Sequence, residues 1–291
     1  HDYFVTAGLG QFFHWIPVCP EFEVGMGVPR ETVRLEGEIS NPDMTASKSG
    51  KNWTERMNRF ARNRVDELTQ QSLHGFILKK NSPSCGMERV KVFTEHGIPR
   101  KEGRGLCAAE LMRQLPLLPV EEEGRLRDPG LRENFLERVF AYYRLQRFLS
   151  DDPAPADLVE FHTRHKLTIM AHHQEKYREL GRLVADVGKG DFSEILDEYS
   201  RRFMEILRIQ ATPGNHANVL YHAMGYFKTQ IDGVDKAELN EFIDQYRTGL
   251  VPLIVPVTLI KHYLRRFPTD WLEKQVYFNP YPHELKLRNL I

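Results

Sequence analysis

The sequence predicts an α/β N-terminal domain, with a small parallel sheet and flanking helices, followed by an all-α C-terminal helical domain. Over the first 120 residues, short apolar runs alternate with a helical pattern, which is typical of strand–helix–strand units. After the break at Asp151-Asp152-Pro153-Ala154-Pro155, every periodic segment has helical spacing. These two observations place a sheet before the break and helices after it.

The first elements follow from apolar periodicity. Residues 4–13 indicate the end of a helix that leads into a short strand at residues 16–18. Residues 25–50 are rich in Gly, Pro, Ser and Asn and predict a long loop. From residue 53 the apolar side chains recur at helical spacing, and this helix leads to a strand at residues 76–78.

The remaining elements complete two predicted domains and a connection. A strand at residues 90–93, a helix at 106–115 and the run at 117–120 end the sheet domain, which spans residues 1–127. Residues 128–155 are predicted to be a connecting helix and linker. Residues 156–291 form the helical domain, with helices predicted at 158–186, 192–209, 217–230, 236–249 and 257–267.

Composition excludes several classes of protein. The apolar fraction of 41% and charged fraction of 27% are typical of a globular protein, and no apolar run is long enough to span a membrane. Three cysteines form no even-numbered disulfide framework, so we expect a reducing, cytoplasmic location. The net charge is zero, so any basic stripe for nucleic acid must be local.

Two of the cysteines follow short apolar runs. Cys19 comes after the predicted strand at 16–18, and Cys85 comes shortly after the strand at 76–78. Ligands bind beyond the carboxyl ends of strands in open α/β sheets, so the two thiols indicate a metal or cluster site. Inert packing remains the alternative for any single thiol. Cys107 lies in an apolar helical stretch and is predicted to be a core residue.

Several segments resemble a known family. V-C-P-E at residues 18–21, S-P-S-C-G at 82–86 and L-P-V-E-E-E-G-R-L at 118–126 look like the TudS-like thiouracil desulfidase domain. H-A-N-V-L at 216–220, G-Y-F-K at 225–228 and N-P-Y-P at 279–282 resemble the helical domain fused to it. The whole arrangement is similar to the tRNA 4-thiouridine desulfidases and covers nearly the entire chain.

The resemblance implies a [4Fe–4S] cluster held by three cysteines, with one iron not bound by the protein. Cys19 and Cys85 match two of these ligand positions. The family opens with a strand and a turn of the form C-L-L-G followed by R-Y-D-G, which this sequence lacks. A third cysteine ligand is therefore expected upstream of His1, and the chain as printed is expected to hold little or no intact cluster. Cys107 falls where relatives usually have an aromatic residue.

The resemblance also implies a reaction. An open iron would act as a Lewis acid on a thiocarbonyl sulfur, so that water adds to the ring carbon and sulfide leaves without electron transfer. Glu21, two residues past Cys19, and Ser82 are the predicted catalytic residues, and Ser84 is a further hydrogen-bond donor. Ordinary loop and turn roles are the alternatives for all three. The Glu121–Glu123 run is interpreted as an acidic cluster at a helix N-terminus.

The helical domain offers candidate RNA contacts. One predicted helix carries His162, His165, His172 and His173, for which no Cys or carboxylate completes a zinc set. A phosphate-facing surface is the favoured functional interpretation of these histidines. The predicted phosphate-facing residues are Arg164 and Lys166 on that helix, and Arg265 and Arg266 on another, beside Lys261 and His262. A solvated face is the alternative. Tyr226, Tyr277 and Tyr281 can stack on bases, although aromatic residues at helical spacing more often belong to the core.

These inferences predict a [4Fe–4S]-dependent, non-redox desulfidase that converts 4-thiouridine in tRNA to uridine and sulfide. The expected partner is thiolated tRNA, and no membrane is expected. A desulfidase of free thiouracil or a thionucleoside is the alternative among enzymes. A non-catalytic Fe–S or RNA-binding module is the alternative from another class.

Overall fold

The computed structural model describes residues 8–94 and 98–291 and divides the chain into two units, His1–Arg127 and Asp128–Ile291. The predicted class is confirmed, because the first unit combines small sheets with helices and the second is helical. Part of the predicted helix at residues 4–13 lies outside the described residues.

The larger sheet is mixed, whereas the sequence predicted a parallel one. Its order is β2-β1-β4-β5, formed by Asn41–Ala46, Val33–Glu38, Val90–Phe93 and Pro99–Gly103. Only β1 and β4 run parallel, while β2 and β5 pair antiparallel at the two edges. The prediction of a loop throughout residues 25–50 is therefore wrong, since β1 and β2 form a hairpin there. Pro42 obscured this strand, and proline is tolerated because β2 is an edge strand.

Strands β3 (Phe76–Leu78) and β6 (Val120–Glu122) form a second, parallel pair. Helix α1 (Thr54–Thr69) precedes β3, and helix α2 (Leu106–Gln114) precedes β6. The predicted apolar stripe of α1 is confirmed by the burial of Met57, Ala61, Val65 and Leu68. Met57 packs in one cluster with Leu35 of β1 and Val92 of β4, so α1 covers one face of the larger sheet.

The strand predicted at residues 16–18 is absent from the structure. Pro17 lies in the middle of this apolar run and has no N–H group to donate to a neighbouring strand. Cys19 therefore leaves an extended segment and enters a short helical turn that continues as the π-helix Phe22–Met26.

The second unit is built from helices α3 to α10. Their bounds are Pro129–Ser150, Pro155–His172, Gln174–Ala185, Phe192–Leu207, Pro213–Met224, Gly233–Arg247, Ile254–Arg266 and Asp270–Glu273. Helix α4 packs against α5, α6 and α7, and α8 packs against α7 and α9. Helix α3, which the sequence suggested as a connecting element, belongs to this unit and packs against α6.

The single helix predicted at residues 158–186 is wrong, because the chain breaks between α4 and α5. His173 adopts an extended conformation there, and its ring Nδ1 accepts the N–H of Lys176 at 3.3 Å. A side chain that caps a new helix in this way ends the preceding one. None of the helices in the described parts of the chain is both long and apolar enough to cross a membrane.

Candidate active site

Residues 79–86, which we call the Cys85 loop, leave β3 and are held by their own hydrogen bonds. The Ser82 hydroxyl accepts the N–H of Ser84 at 3.3 Å and the N–H of Cys85 at 3.2 Å. The Gly86 N–H donates to the Ser82 carbonyl at 2.8 Å. Ser82 therefore fixes the position of Cys85, in addition to any chemical role of its hydroxyl.

Helix α2 begins against the Cys85 loop. The N–H of Leu106 donates to the Pro83 carbonyl at 3.1 Å, and the N–H of Cys107 donates to the Ser84 carbonyl at 2.9 Å. N–H groups in a first helical turn have no partner inside the helix, so the loop carbonyls satisfy them. Gly105 permits this contact, because a Cβ there would lie 2.5 to 2.7 Å from backbone atoms of Ser84 and Cys85.

The acidic run at residues 121–123, which begins within β6, anchors the same loop. The Glu122 carboxylate accepts the N–H of Met87 at 2.9 Å, and the Glu123 carboxylate accepts the N–H of Lys80 at 2.8 Å. Glu121 and Glu122 lie in β6, so the interpretation of this run as a helix N-terminal cluster is wrong. The carboxylates instead hold both ends of the Cys85 loop.

Cys19 is fixed by a neighbouring carboxylate. Its N–H donates to Glu23 Oε1 at 2.7 Å, and the other oxygen of Glu23 pairs with Arg64 of α1 at 3.3 Å. The side chain of Cys19 is exposed. The segment thus presents a thiol to solvent on a backbone tied to α1.

Glu21 links the Cys19 segment to the Cys85 loop. Its Oε1 accepts the hydroxyl of Ser84 at 2.8 Å and that of Ser82 at 3.3 Å, and the two hydroxyls are 2.9 Å apart. Its Oε2 pairs with Arg30 Nε at 2.7 Å. The structure therefore brings together Glu21 and both serines, and Ser84 makes the shorter contact.

The thiol of Cys85 lies 3.5 Å from the Ser84 hydroxyl. Burial raises the pKa of Cys85 to about 11, and the negative charges of Glu21 and Cys19 act in the same direction. Ser84 therefore contacts both the Cys85 thiol and the Glu21 carboxylate, and Glu21 lies two residues after Cys19. A bound metal ion would instead lower the pKa of the Cys85 thiol, because it stabilises the thiolate.

Cys107 is placed differently from the other two cysteines. Its thiol donates to Met57 Sδ at 3.2 Å, and burial raises its pKa. It is half-buried beside the core cluster that contains Met57 and Leu106. Within residues 8–94 and 98–291, no group of three or more His, Cys, Asp or Glu side chains is arranged to hold a metal ion.

Comparison with protein families gives this site a context. A family described as 2-thiouracil desulfurase matches residues 1–123, which contain every group of the site. A family described as protein of unknown function (DUF1722) matches residues 166–282. The chain thus has an N-terminal domain of the 2-thiouracil desulfurase type, followed by a DUF1722 domain. This confirms the resemblance of the sequence to a desulfidase domain fused to a second, helical domain.

One curated relative adds to this assignment. An Escherichia coli K12 protein, described as uncharacterized protein YbgA, is 37% identical over 158 residues, which cover 54% of this chain and 94% of that protein. No solved structure matches the chain. The match of residues 1–123 to the desulfurase family supports a desulfidase activity.

In the helical domain, the histidines predicted to face phosphate are mostly internal. His162, His165 and His172 are each no more than 3% exposed, and His173 caps α5. Burial lowers the pKa of His162 to about 4 and that of His165 to about 3. Buried rings cannot reach a phosphate, so the interpretation as a phosphate-facing surface is wrong for His162, His165 and His172.

His172 belongs to a buried polar network in the same domain. Its Nε2 lies 3.0 Å from a Glu137 oxygen, and this contact raises its pKa although burial opposes the charge. Glu133 accepts the hydroxyl of Tyr281 at 2.8 Å and pairs with Arg288 at 3.4 Å. Tyr281 is therefore a buried residue, in agreement with the core alternative for the aromatic residues, and is not available to stack on a base.

The other candidate RNA residues have mixed positions. Arg164, Arg265 and Arg266 are exposed, and Lys166 is half-buried. Tyr277 is fully buried and bonds to His216 at 2.9 Å, whereas Tyr226 is 37% exposed and stacks on Trp271. The four basic side chains are therefore accessible to a ligand, whereas Tyr277 is not accessible to stack on a base.

Sequence reasoning missed two residues of the site, Arg30 and Glu23. Arg30 pairs with Glu21 from within the region predicted to be a loop, and nothing in its sequence context indicates that partner. Glu23 lies four residues after Cys19, a spacing at which a side chain can reach back to a backbone N–H at a helix start. That spacing was a signal available in the sequence.

Proposed function

We propose that the protein is a [4Fe–4S]-dependent, non-redox desulfidase that removes sulfur from 4-thiouridine in tRNA and releases uridine and sulfide. The family supports desulfidase activity as such, and the substrate and cofactor are our inference. The observation that carries it is Glu21, whose carboxylate joins Ser84 and Ser82 beside the thiols of Cys19 and Cys85.

The donor chemistry of the site fits two positions of a three-cysteine cluster. Thiolates are the usual ligands of iron–sulfur clusters, and Cys19 and Cys85 supply two of them from separate segments. Cys107 is turned to Met57 and is not proposed as a ligand. When bound, the cluster would supply a Lewis-acidic iron with affinity for a thiocarbonyl sulfur.

We propose that the protein's own residues transfer the protons of the reaction. The reaction adds water to the ring carbon and releases the sulfur as sulfide, so both protons must leave the water oxygen as the C=O bond forms, and the departing sulfur must be protonated. Glu21 is placed to take a proton from the water, because its carboxylate is only 18% exposed and is held by Arg30 and Ser84. The hydroxyls of Ser82 and Ser84 form a short chain through which a proton can return.

Aromatic side chains next to Cys19 support recognition of a flat base. Trp15 is 41% exposed and Phe22 is 57% exposed, and both flank the exposed thiol in sequence. Base–aromatic stacking contributes roughly 1–3 kcal/mol per base in nucleic-acid-binding proteins. We propose that one of them stacks on the thiolated pyrimidine. In the helical domain, Arg164, Lys166, Arg265 and Arg266 are proposed to contact the tRNA backbone.

Free 2-thiouracil is the second candidate substrate, and the description of the family favours it. The two are separated by anaerobic reconstitution of the protein, followed by measurement of iron, sulfide and cluster absorbance. Thiolated tRNA and free 2-thiouracil are then offered side by side. We expect faster sulfide release from the tRNA. Exclusive turnover of the free base would assign the protein to that substrate, and a protein without iron would contradict the cofactor.

A further inference from the structure

A second concave surface lies in the desulfurase domain, on the side of the larger sheet that α1 does not cover. It is a cleft of about 730 Å³ between the sheet and the Cys85 loop. Six basic and two acidic side chains line it, in a chain whose net charge is zero. We call it the cationic cleft. Its basic residues are Arg34, Lys80, Arg89, Lys91, Lys101 and Arg125.

The two acidic residues of the cationic cleft are already engaged. Glu88 pairs with Arg125 at 2.9 Å, and Glu122 accepts the N–H of Met87. Arg34 pairs with Glu36 at 2.5 Å, an exposed contact. Among the described residues, no carboxylate makes an ion pair with Lys80, Arg89, Lys91 or Lys101. Most of the positive charge of the cleft is therefore not neutralised by the protein.

The charges form a row across the sheet. Lys91 of β4 is directly opposite Lys101 of β5, and the parallel register of β1 with β4 places Arg34 level with Lys91. Like charges in directly opposed positions destabilise a sheet. Adjacent strands are about 4.8 Å apart, so the row extends over roughly 10 Å. This length exceeds one phosphate group and fits consecutive phosphates of a chain.

The cationic cleft and the thiol site use the same loop. Lys80, Asn81 and Pro83 line the cleft, whereas Ser82 and Ser84 bond to Glu21 in the site. Phe93 also lines the cleft, with the Arg34 guanidinium 5.2 Å from its ring centre. A strand whose backbone followed the row of cations would pass beside the loop that carries Cys85.

We propose that the cationic cleft binds the phosphodiester backbone of RNA and thereby directs the thiolated nucleotide to the thiol site. This inference rests on the proposed function, since it names the part of the desulfurase domain that receives the polynucleotide. It assigns RNA binding to the domain that holds the chemistry, in addition to the helical domain. It also explains why opposed lysines are kept on the sheet, because a bound polyanion offsets their repulsion.

The test measures binding of an unmodified tRNA transcript, which requires neither cluster nor turnover. Arg89→Gln with Lys91→Gln is compared with wild type over a range of salt concentrations. We expect weaker binding and a log–log salt slope lower by about 1.4 to 1.8, since each lost phosphate contact removes roughly 0.7 to 0.9. Arg34→Gln with Lys91→Gln is a second variant, which keeps the test informative if the first variant folds poorly.

The matched control is Arg59→Gln with Arg62→Gln, which removes the same charge from the exposed surface of α1 on the covered side of the sheet. Sulfide release from free 2-thiouracil should be unchanged in all variants. Equal affinity and slope in the cleft variants and wild type would overturn the proposal. Weaker tRNA binding by the Arg59→Gln, Arg62→Gln control, with normal binding by the cleft variants, would also overturn the proposal. Failure of wild-type protein to desulfurise thiolated tRNA would contradict the proposed function, and this result is read separately from binding.

Discussion

At the scale of single residues, the three cysteines differ in what surrounds them. Cys19 and Cys85 share a site with Glu21, whereas Cys107 contacts Met57. We predict that Cys19→Ser and Cys85→Ser each abolish or strongly reduce iron binding, because a hydroxyl is a poor ligand for soft metals. Iron and sulfide are measured after anaerobic reconstitution.

Cys107→Ala is the control for these variants and should retain the wild-type iron content. The small alanine avoids overpacking against Met57. Normal iron in the Cys19 or Cys85 variant would contradict the ligand assignment, as would loss of iron in the Cys107 variant.

Glu21 and Ser84 are predicted to act in turnover and not in cluster binding. Glu21→Gln keeps the shape of the side chain but removes its basic oxygen, and Ser84→Ala removes the 2.8 Å donor. Each should slow single-turnover sulfide release by about 10²–10⁴-fold, the range for a lost proton-transfer group. Glu110→Gln removes a surface carboxylate paired with Arg113 and serves as the control. If both variants release sulfide at the wild-type rate with unchanged iron content, neither Glu21 nor Ser84 takes part in proton transfer.

At the scale of elements, the approach of α2 to the Cys85 loop depends on Gly105. We predict that Gly105→Ala destabilises the desulfurase domain by about 1–3 kcal/mol, the usual cost of overpacking, and lowers its iron content. The new Cβ would lie within 2.7 Å of three backbone atoms, none of which can move aside as a side chain would. Thermal unfolding and iron content are the measurements.

Gly188→Ala is the comparison, because nothing lies within 4 Å of a Cβ at that position. Gly188→Ala should change neither the thermal unfolding nor the iron content by more than experimental error. A Gly105→Ala protein with normal unfolding and normal iron would show that the contact is not required.

The elements also show which parts of the fold the sequence reveals. α1 and β3 were predictable because their apolar residues follow the helical and strand patterns. β5 contains Pro-Arg-Lys-Glu-Gly and has no apolar residue, so periodicity has nothing to detect. β2 contains a proline that only an edge position tolerates. Such strands are specified by pairing with their neighbours, which is information that a local pattern does not carry.

The candidate site, like the fold, is only partly specified by local sequence patterns. Cys19, Glu21 and Cys85 could be singled out from short motifs, because each is close in sequence to its own turn. The partners that hold them, such as Arg30, come from segments whose approach depends on the complete fold. Motifs therefore identify reactive groups, and the fold identifies what positions them.

At the scale of the whole molecule, stability should depend on pH through the buried network of the helical domain. Burial, and then the negative charge of Glu137, raise the pKa of Glu133 from its ordinary 4.5 to about 7. A carboxyl group with a raised pKa contributes stability below pH 4.5, and this contribution is lost as pH rises through about 7.

We therefore predict that Glu133→Gln reduces the loss of unfolding free energy between pH 5 and pH 8, by on the order of 2 kcal/mol. Glutamine keeps an oxygen for the Tyr281 hydroxyl but does not ionise. Urea unfolding is followed by the helical circular dichroism signal at both pH values. Glu205→Gln, at an exposed ion pair with Arg201, is the control. Equal pH dependence in wild type and Glu133→Gln would contradict the assignment.

The arrangement of the larger sheet has a consequence for the behaviour of the molecule in concentrated solution. Among the described residues, no further strand pairs with the outer edge of β5, and such an edge can recruit a strand from another molecule. The outer edge of β2 is partly covered, because the Ala46 N–H donates to the Lys51 carbonyl and the Trp53 N–H donates to the Met44 carbonyl. Each outer strand contains a proline, Pro42 in β2 and Pro99 in β5, and β5 adds three consecutive charged residues. Prolines and lysines at edges oppose self-association. The proline and charged residues of β5 therefore have two effects. They contain no apolar periodicity, so the strand is not predicted from sequence, and they oppose self-association at the edge of the sheet.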